Sequence, residues 1–330
     1  MAAYNAESFL RDAVDSVLNQ TFSDFEFLIF EDCSIDRTLE ILQSYNDPRI
    51  KLYANETNQG LTKNLVRGIE LATGDYVARM DADDVCMPNR FEQQLEYFAH
   101  HPEVSVLGSA VTFFDDKDYE FVGYQPTAHE DIKVTLFLGF TMLHPTVMMR
   151  KADMNQHCLN YDPQFVVSQD HDLWTRAIRK LCFANHQLSL LKSRRHGEAI
   201  GKTRKSEQEA LASMVRQRQL DEIDVSYTAA ELNAFNIFAG MASRFKSEQL
   251  PDLESILLKI IEANRDVNIY DQTVLEQSVA ARYRGVCRML LLNGNRKGLC
   301  YWKSSLRKYD QVSFRQLLGM FVRSALCLIK

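Results

Sequence analysis

The chain has no Cys-x-x-Cys pair, no unbroken apolar run of 18 residues, no internal repeat and no low-complexity tract. Each absence removes a class of protein. Its seven cysteines, Cys33, Cys86, Cys158, Cys182, Cys287, Cys300 and Cys327, form an odd and unpatterned set. Such a set offers no zinc site and suits a reducing compartment. Without a long apolar run nothing reads as a bilayer-spanning helix, and the opening residues do not read as a secretory leader, so the expected setting is cytoplasmic. An excess of positive charge is missing too. The net charge of −6 argues against a nucleic-acid partner.

What is present fits a folded protein. Apolar residues make up 46% and charged residues 25%, ordinary values for a globular chain, and 330 residues can bury a sizeable core in one domain or two. The charge is uneven. Between Lys297 and Lys330 stand Lys297, Lys303, Arg307, Lys308, Arg315, Arg323 and Lys330 against the single acid Asp310. In the same stretch Phe314, Leu317, Leu318, Phe321, Val322, Ala325, Leu326 and Ile329 share one helical face. Two expectations stay open for residues 313–330: a peripheral helix on the inner face of an anionic membrane, or a helix docked on the protein's own core.

Hydrophobic periodicity over the first 150 residues alternates between helix and strand. Helices are expected at Glu7 to Gln20, Asp36 to Tyr45, Thr62 to Thr73 and from Pro88 onward, and strands at Phe25 to Phe30, Arg49 to Tyr53, Asp75 to Met80 and Val104 to Phe114. Thr62 is expected to cap its helix and Gly74 to end it. This alternation predicts an α/β fold with a doubly wound, mostly parallel sheet. A strand is needed before the first helix, yet only Met1 to Ala3 precede it. The expectation is a first strand that is truncated, or a start placed too late. From Asp115 to Leu191 the signals are mixed, with a strand at Pro145 to Arg150, a helix at Asp170 to Lys180 and a strand at Phe183 to Leu191. Beyond a boundary near residue 203 the signals are helical: Ser206 to Ile223, Ala229 to Ala239, Leu253 to Arg265, Gln272 to Leu292 and Ser313 to Ile329. The expected division is 1–203 for the α/β domain and 204–330 for a helical C-terminal region.

The densest chemical signal is Asp81-Ala82-Asp83-Asp84, three carboxylates at the end of an apolar strand. Close carboxylates repel one another unless a cation sits between them. Mg²⁺ and Mn²⁺ bind through one or two carboxylates together with substrate phosphates. The carboxyl ends of strands are where open α/β sheets bind ligands. Taken alone, the same residues would also describe a solvated acidic turn.

The acids do not stand alone. Ala3-Tyr4-Asn5, then Glu31-Asp32-Cys33-Ser34-Ile35-Asp36, Asn58-Gln59-Gly60 with Asn64, Gly74-Asp75-Tyr76, the acidic cluster followed by Pro88 and Arg90, His144-Pro145-Thr146, Gln169-Asp170-His171-Asp172-Leu173-Trp174 and Arg195-His196-Gly197 occur in that order. The set resembles the family 2 glycosyltransferases of the GT-A fold, over roughly residues 1–200. The resemblance implies inverting transfer of a sugar from a nucleotide donor, uridine-linked in expectation, to a saccharide or lipid-linked acceptor in surface polysaccharide or glycolipid synthesis. It assigns Asp32 to the base of the nucleotide, with Tyr4 and Asn5 lining that pocket and Lys63 near the donor. Asp81 meets the ribose or a metal-bound water, and Asp83 holds Mn²⁺ or Mg²⁺. Asp84 is the alternative ligand, or the cap of the helix that Pro88 opens. His196 completes the metal site or meets the diphosphate. Asp170 is the general base that takes the acceptor's proton, and its placement at a helix start would depress its pKa. His144 and Gln169 line the acceptor side, although His144 equally suits a satisfied buried histidine. The family's usual Glu-Asp is Gln169-Asp170 here. That change leaves a second reading: a non-catalytic relative that binds nucleotide or a partner enzyme. A nucleotidyltransferase ranks below both, because no glycine-rich loop with a basic residue opens the chain.

Overall fold

The structure, a computed structural model, describes residues 1–115, 119–139, 142–196, 204–240, 245–313, 315–316, 319 and 321. The chain divides into two compact units: Met1–Ile132 with Thr141–Ala212, and Lys133–Phe140 with Ser213–Lys330.

The first unit begins with alternating strands and helices: β1 Ala2–Ala3, α1 Leu10–Leu18, β2 Phe27–Glu31, α2 Thr38–Gln43, β3 Ile50–Ala54, α3 Leu61–Leu71, β4 Tyr76–Ala78, β5 Val85–Cys86, α4 Arg90–His100 and β6 Val104–Phe114. Strands β1, β2 and β3 pair in parallel, with Ala2 opposite Phe30 and Phe27 opposite Ile50. Parallel pairing follows from the helices that return the chain to the same end of the sheet. After β6 come β7 Glu120–Gly123, α5 His129–Phe137, β8 Met148–Arg150, α6 Lys151–Gln156, α7 Gln169–Ala177 and β9 Cys182–Arg194. These build a second sheet in the order β4-β8-β6-β9-β5, with β7 on β6. Its β6–β9 ladder is parallel and its other pairs are antiparallel. The parallel character thus belongs to the strands joined by helical crossovers. A parallel bridge from Ala2 to Asp81 joins the two sheets where the acids begin.

Strand β1 is two residues long, and both pair with β2. Helix α1 buries Leu10, Ala13, Val14 and Val17, the i, i+3, i+4, i+7 stripe of an amphipathic helix. Each fully buried leucine or valine contributes about 1.5–3 kcal/mol. Strand β6 is buried from Val104 to Thr112, as a strand covered on both faces must be.

Two helix ends differ from expectation. Gly60, with φ of +83°, is the residue before α3, and Thr62 lies inside the helix, where its hydroxyl donates to the carbonyl of Phe165 at 2.8 Å. The helix stops because Ala72 turns extended (φ −59°, ψ 134°), two residues before Gly74.

In the second unit the helices are α8 Lys205–Glu222, which starts in the first unit, α9 Ala229–Gly240, α10 Leu250–Val267 and α11 Gln272–Leu292. They are followed by 3₁₀ segments Arg296–Lys303 and Ser305–Tyr309. Leu253, Ile256, Leu257 and Ile260 of α10 and Leu275, Val279, Tyr283 and Val286 of α11 share one core with Phe235 and Phe238. Of the helix expected at Ser313 to Ile329, residues Phe314, Leu317, Leu318, Val322, Arg323, Ala325, Leu326 and Ile329 lie outside the described residues, as does Lys330 after it. Phe321 is described and buried, its ring stacked on Tyr301 at 5.6 Å. Among the described residues no helix is long and apolar enough to cross a membrane.

Candidate active site

The site lies in the first unit. Strand β2 ends in Glu31, and Asp32 follows it, both nearly inaccessible. The Glu31 carboxylate accepts from the backbone N–H of Ser34 at 2.7 Å and folds the turn that follows. Asp32 reaches forward instead. Its Oδ1 accepts from the Gln59 N–H at 2.8 Å and the Asn55 amide at 2.8 Å, and its Oδ2 accepts from the Gly60 N–H at 2.9 Å. Burial raises the Asp32 carboxyl, but these bonds outweigh it and hold the group below its ordinary range. Asp32 is therefore an ionised strut for the 55–60 loop, a role that its place after a strand did not reveal. Asn5, at φ of +48°, donates its N–H to Ser34 Oγ and accepts from the Ile35 N–H, each at 3.0 Å. Tyr4 beside it is half exposed. Lys63 is exposed and lines a cleft of about 510 Å³ with Asn55, Gln59 and Arg67.

Beyond β4 the three acids converge. One carboxylate oxygen from each of Asp81, Asp83 and Asp84 lies within 4.8 Å of the others. Every one of the three is held by a neighbour. Asp81 pairs with the buried guanidinium of Arg79. Asp83 Oδ2 meets His196 Nε2 at 2.8 Å. Asp84 Oδ1 accepts the backbone N–H of Arg194 at 3.0 Å, at the end of β9. Asp84 thus does not cap α4; Asn89 occupies that position. Burial first, then repulsion from Asp81 and Asp83, pushes the Asp84 carboxyl up to about 8, and burial and Asp81 also raise Asp83. A cluster that resists its own ionisation fits a divalent cation, whose charge would reverse that shift. His196 joins the cluster through Asp83, and its ring lies 5.0 Å from that of Phe9.

Asp170 is half-buried in the first turn of α7. The residue that precedes this helix is Ser168, in the left-handed conformation, so Asp170 is not the cap. Its carboxyl is raised, not depressed, because burial outweighs the His171 N–H that Oδ1 accepts at 2.8 Å and the opposing charge of Arg79. His144 is buried, with Nε2 2.7 Å from the Tyr161 hydroxyl and its ring edge-on to Trp174. Burial keeps it neutral, well below the usual histidine range. Gln169 is buried at the start of the same helix as Asp170.

Three arginines that the motif reading left without a role position the site. Arg79 faces Asp81 from inside, and its charge also acts on Asp170. The Arg194 guanidinium lies between the rings of Phe9 and Phe114, at 4.7 and 4.6 Å, while its Nε donates to the carbonyl of Asp83 at 3.3 Å. Arg90 is fully buried. It donates to the carbonyls of Arg79 (2.9 Å) and Val147 (3.3 Å) and to Gln94 Oε1 (3.0 Å), tying α4 to the strand ends that carry the acids. Arg90→Met would strip donors from these buried oxygens and should cost about 3 kcal/mol. A urea midpoint unchanged from that of the parent would show that Arg90 is not the tie. The signal for Arg90 was in the sequence as Pro88-x-Arg90. The signal for Arg194 was absent, since the Asp84 carboxylate that its N–H meets stands 110 residues earlier.

An α/β unit with acids at the strand end, preceding a helical unit, is the architecture of a GT-A glycosyltransferase. The crystal structure of S. aureus TarS 1–349 in complex with UDP-GlcNAc has the same fold, with a TM-score of 0.57 over 93% of this chain and 87% of that one, at 16% identity. The family model for glycosyl transferase family 2 matches residues 1–159. The amylovoran biosynthesis glycosyltransferase AmsE of Erwinia amylovora is 32% identical over 185 residues, which cover 53% of this chain and 67% of that relative. An uncharacterized glycosyltransferase of Haemophilus influenzae is 28% identical over 231 residues, covering 67% of this chain and 72% of the relative. The putative glycosyltransferase EpsE of Bacillus subtilis is 34% identical over 155 residues, covering 46% of this chain and 55% of the relative. This chain belongs to the family 2 glycosyltransferases.

Proposed function

We propose that the protein transfers a sugar from a nucleotide donor, uridine-linked, to a saccharide or lipid-linked acceptor with inversion, in the synthesis of a surface polysaccharide or glycolipid. The observation that carries this reading is the convergence of Asp81, Asp83 and Asp84 at the end of β4, each held by a separate neighbour. Two similar proteins support its scope: AmsE is an amylovoran biosynthesis glycosyltransferase, and TarS was crystallised with UDP-GlcNAc.

In this reading Tyr4 and Asn5 border the nucleotide base, and Asp32 shapes that pocket through the 55–60 loop. Lys63 stands on the donor side, and His144 and Gln169 support the acceptor side. Asp81, Asp83 and Asp84 would hold Mn²⁺ or Mg²⁺, which when bound neutralises the charge of the leaving diphosphate. His196 orients Asp83. Asp170 takes the acceptor hydroxyl's proton as that oxygen attacks the anomeric carbon.

A panel of nucleotide sugars, each with and without Mn²⁺ or Mg²⁺, tests the reading by thermal shift. A ligand at about a hundred times its Kd adds about 2.7 kcal/mol of stability. A uridine diphosphate sugar should raise Tm only when the cation is present. A Tm that no donor raises, or donor shifts of equal size in chelator, would overturn the assignment. The pH dependence adds a sign. An unfolded aspartate loses its proton near about 3.9, whereas Asp84 in the folded chain keeps it to about 8. Its contribution to stability is full below the lower value and lost as pH rises through the upper one. In chelator, Tm should therefore fall from about pH 4 to about pH 8 and level off above it, and the cation should restore most at the alkaline end. A cation effect that is flat with pH would place it elsewhere.

Contact with an anionic membrane through residues 313–330 belongs to the same proposal. Phe321 docks in the helical core, so deletion would disturb folding. Reversing the charge of Arg315, Arg323 and Lys330 to glutamate is the cleaner test. Co-sedimentation with phosphatidylserine vesicles should be lost in that variant, and unchanged binding would rule out this segment.

A further inference from the structure

The helical unit carries a pair of thiols that glycosyl transfer does not use. Cys287 lies on α11, and Cys300 lies on the 3₁₀ segment Arg296–Lys303 that folds back over it. Their sulfurs are 3.9 Å apart. The backbones approach closely here, since a Cβ on Gly298 would stand 2.2 Å from the carbonyl oxygen of Cys287. Cys287 is fully buried, and Cys300 is partly open to solvent. The Tyr283 hydroxyl sits 3.6 Å from the Cys300 sulfur and 3.2 Å from Glu254 Oε2, which brings a carboxylate near the pair.

We propose that Cys287 and Cys300 are a modification site that takes a small disulfide oxidant, such as oxidised glutathione, and closes reversibly into an intramolecular disulfide. A disulfide has an S–S length of about 2.05 Å, so the sulfurs must close by about 2 Å. In the first step the Cys300 thiolate attacks one sulfur of the oxidant, forms a mixed disulfide and expels one glutathione thiolate. In the second, Cys287 loses its proton and attacks the Cys300 sulfur, and the second glutathione leaves as thiolate. Two protein thiols are oxidised, one disulfide is reduced to two thiols, and two protons pass to solvent or to the leaving thiolates.

The order of attack follows from the geometry. Cys300 is the accessible sulfur, and the hydrogen bond from the Cys287 thiol holds it down to about 7, where a substantial share is thiolate. The same bond, together with burial, raises Cys287, which suits the resolving partner and not the first attacker. Closure would tie Arg296–Lys303 to α11. Cys33 and Cys158 are exposed and serve as internal comparison.

The test uses the full reduced chain, equilibrated with glutathione buffers of rising oxidised fraction, then quenched with acid, alkylated and mapped by peptide mass spectrometry. The expected result is a linked Cys287–Cys300 peptide at oxidised fractions that leave Cys33 and Cys158 largely free. In Cys287→Ser, Cys300 should accumulate a glutathione adduct faster than Cys33 does. In Cys300→Ser, Cys287 should stay protected from alkylation until the protein is denatured. No linked peptide in the parent chain, at ratios where Cys33 or Cys158 carries adducts, would overturn the proposal whether or not the variants fold. So would a Cys300 adduct in a folded Cys287→Ser that forms no faster than that of Cys33.

Discussion

Asp83→Ala should lower transfer by about a thousandfold, the scale on which losing a preorganised charge-stabilising group slows an enzyme, and it should do so without destabilising the cation-free protein. The two halves of this expectation have one cause. In the absence of a cation, burial and the charge of Asp81 raise Asp83, and Asp83 in turn helps push Asp84 up to about 8. Removing Asp83 relieves that repulsion. Tm in chelator should stay level or rise, while affinity for Mn²⁺, read directly from the free-ion signal in electron paramagnetic resonance, should drop. Asp84→Ala makes the contrast. Asp84 is buried and accepts the Arg194 N–H at 3.0 Å, so its loss removes the bond that ties the acids to the end of β9. That variant should lose stability as well as cation affinity, by about 1–3 kcal/mol. If Asp83→Ala keeps Mn²⁺ affinity and turnover, the acids are a structural turn and the proposed site is wrong.

The contrast between Asp83 and Asp84 also shows which features the sequence made legible. Strands, helices and the acidic cluster could be read because they are local: an apolar run, then a turn, then acids at a strand end. The stripe Leu10, Ala13, Val14, Val17 and the full length of β6 are of this kind. What distinguishes Asp83 from Asp84 is their partners on β9 and beyond it, more than a hundred residues downstream. No local pattern carries a pairing of that range. Thr62 failed as a cap for a related reason. The Asp32 carboxylate takes the N–H groups of Gln59 and Gly60, which fixes the chain just before α3 and places Thr62 inside it. Gly74 was read by helix punctuation, but Ala72 had already turned extended. Arg79 was invisible as a site residue, because a basic residue beside acids reads as ordinary surface charge until its burial is known.

Asp170→Asn should keep the donor-dependent thermal shift and lose transfer by about 10²- to 10⁴-fold, the usual contribution of a general base. The substitution preserves shape and leaves an amide oxygen to accept the His171 N–H, so α7 should start as before. It removes the one property the proposed role needs, a carboxylate that can take a proton. A cap position would have lowered that carboxyl; burial instead raises it, and the nearby charge of Arg79 only partly opposes the rise. A raised carboxylate is the stronger base while it remains ionised. The same shift sets the pH profile. Transfer by the parent protein should fall on the acid side at a pH above the ordinary aspartate range, because protonation removes the active form. Asp170→Asn should show residual transfer without that acid limb. Loss of the donor's thermal shift together with transfer would make Asp170 a structural residue, and an acid limb that survives in Asp170→Asn would assign the proton to another group.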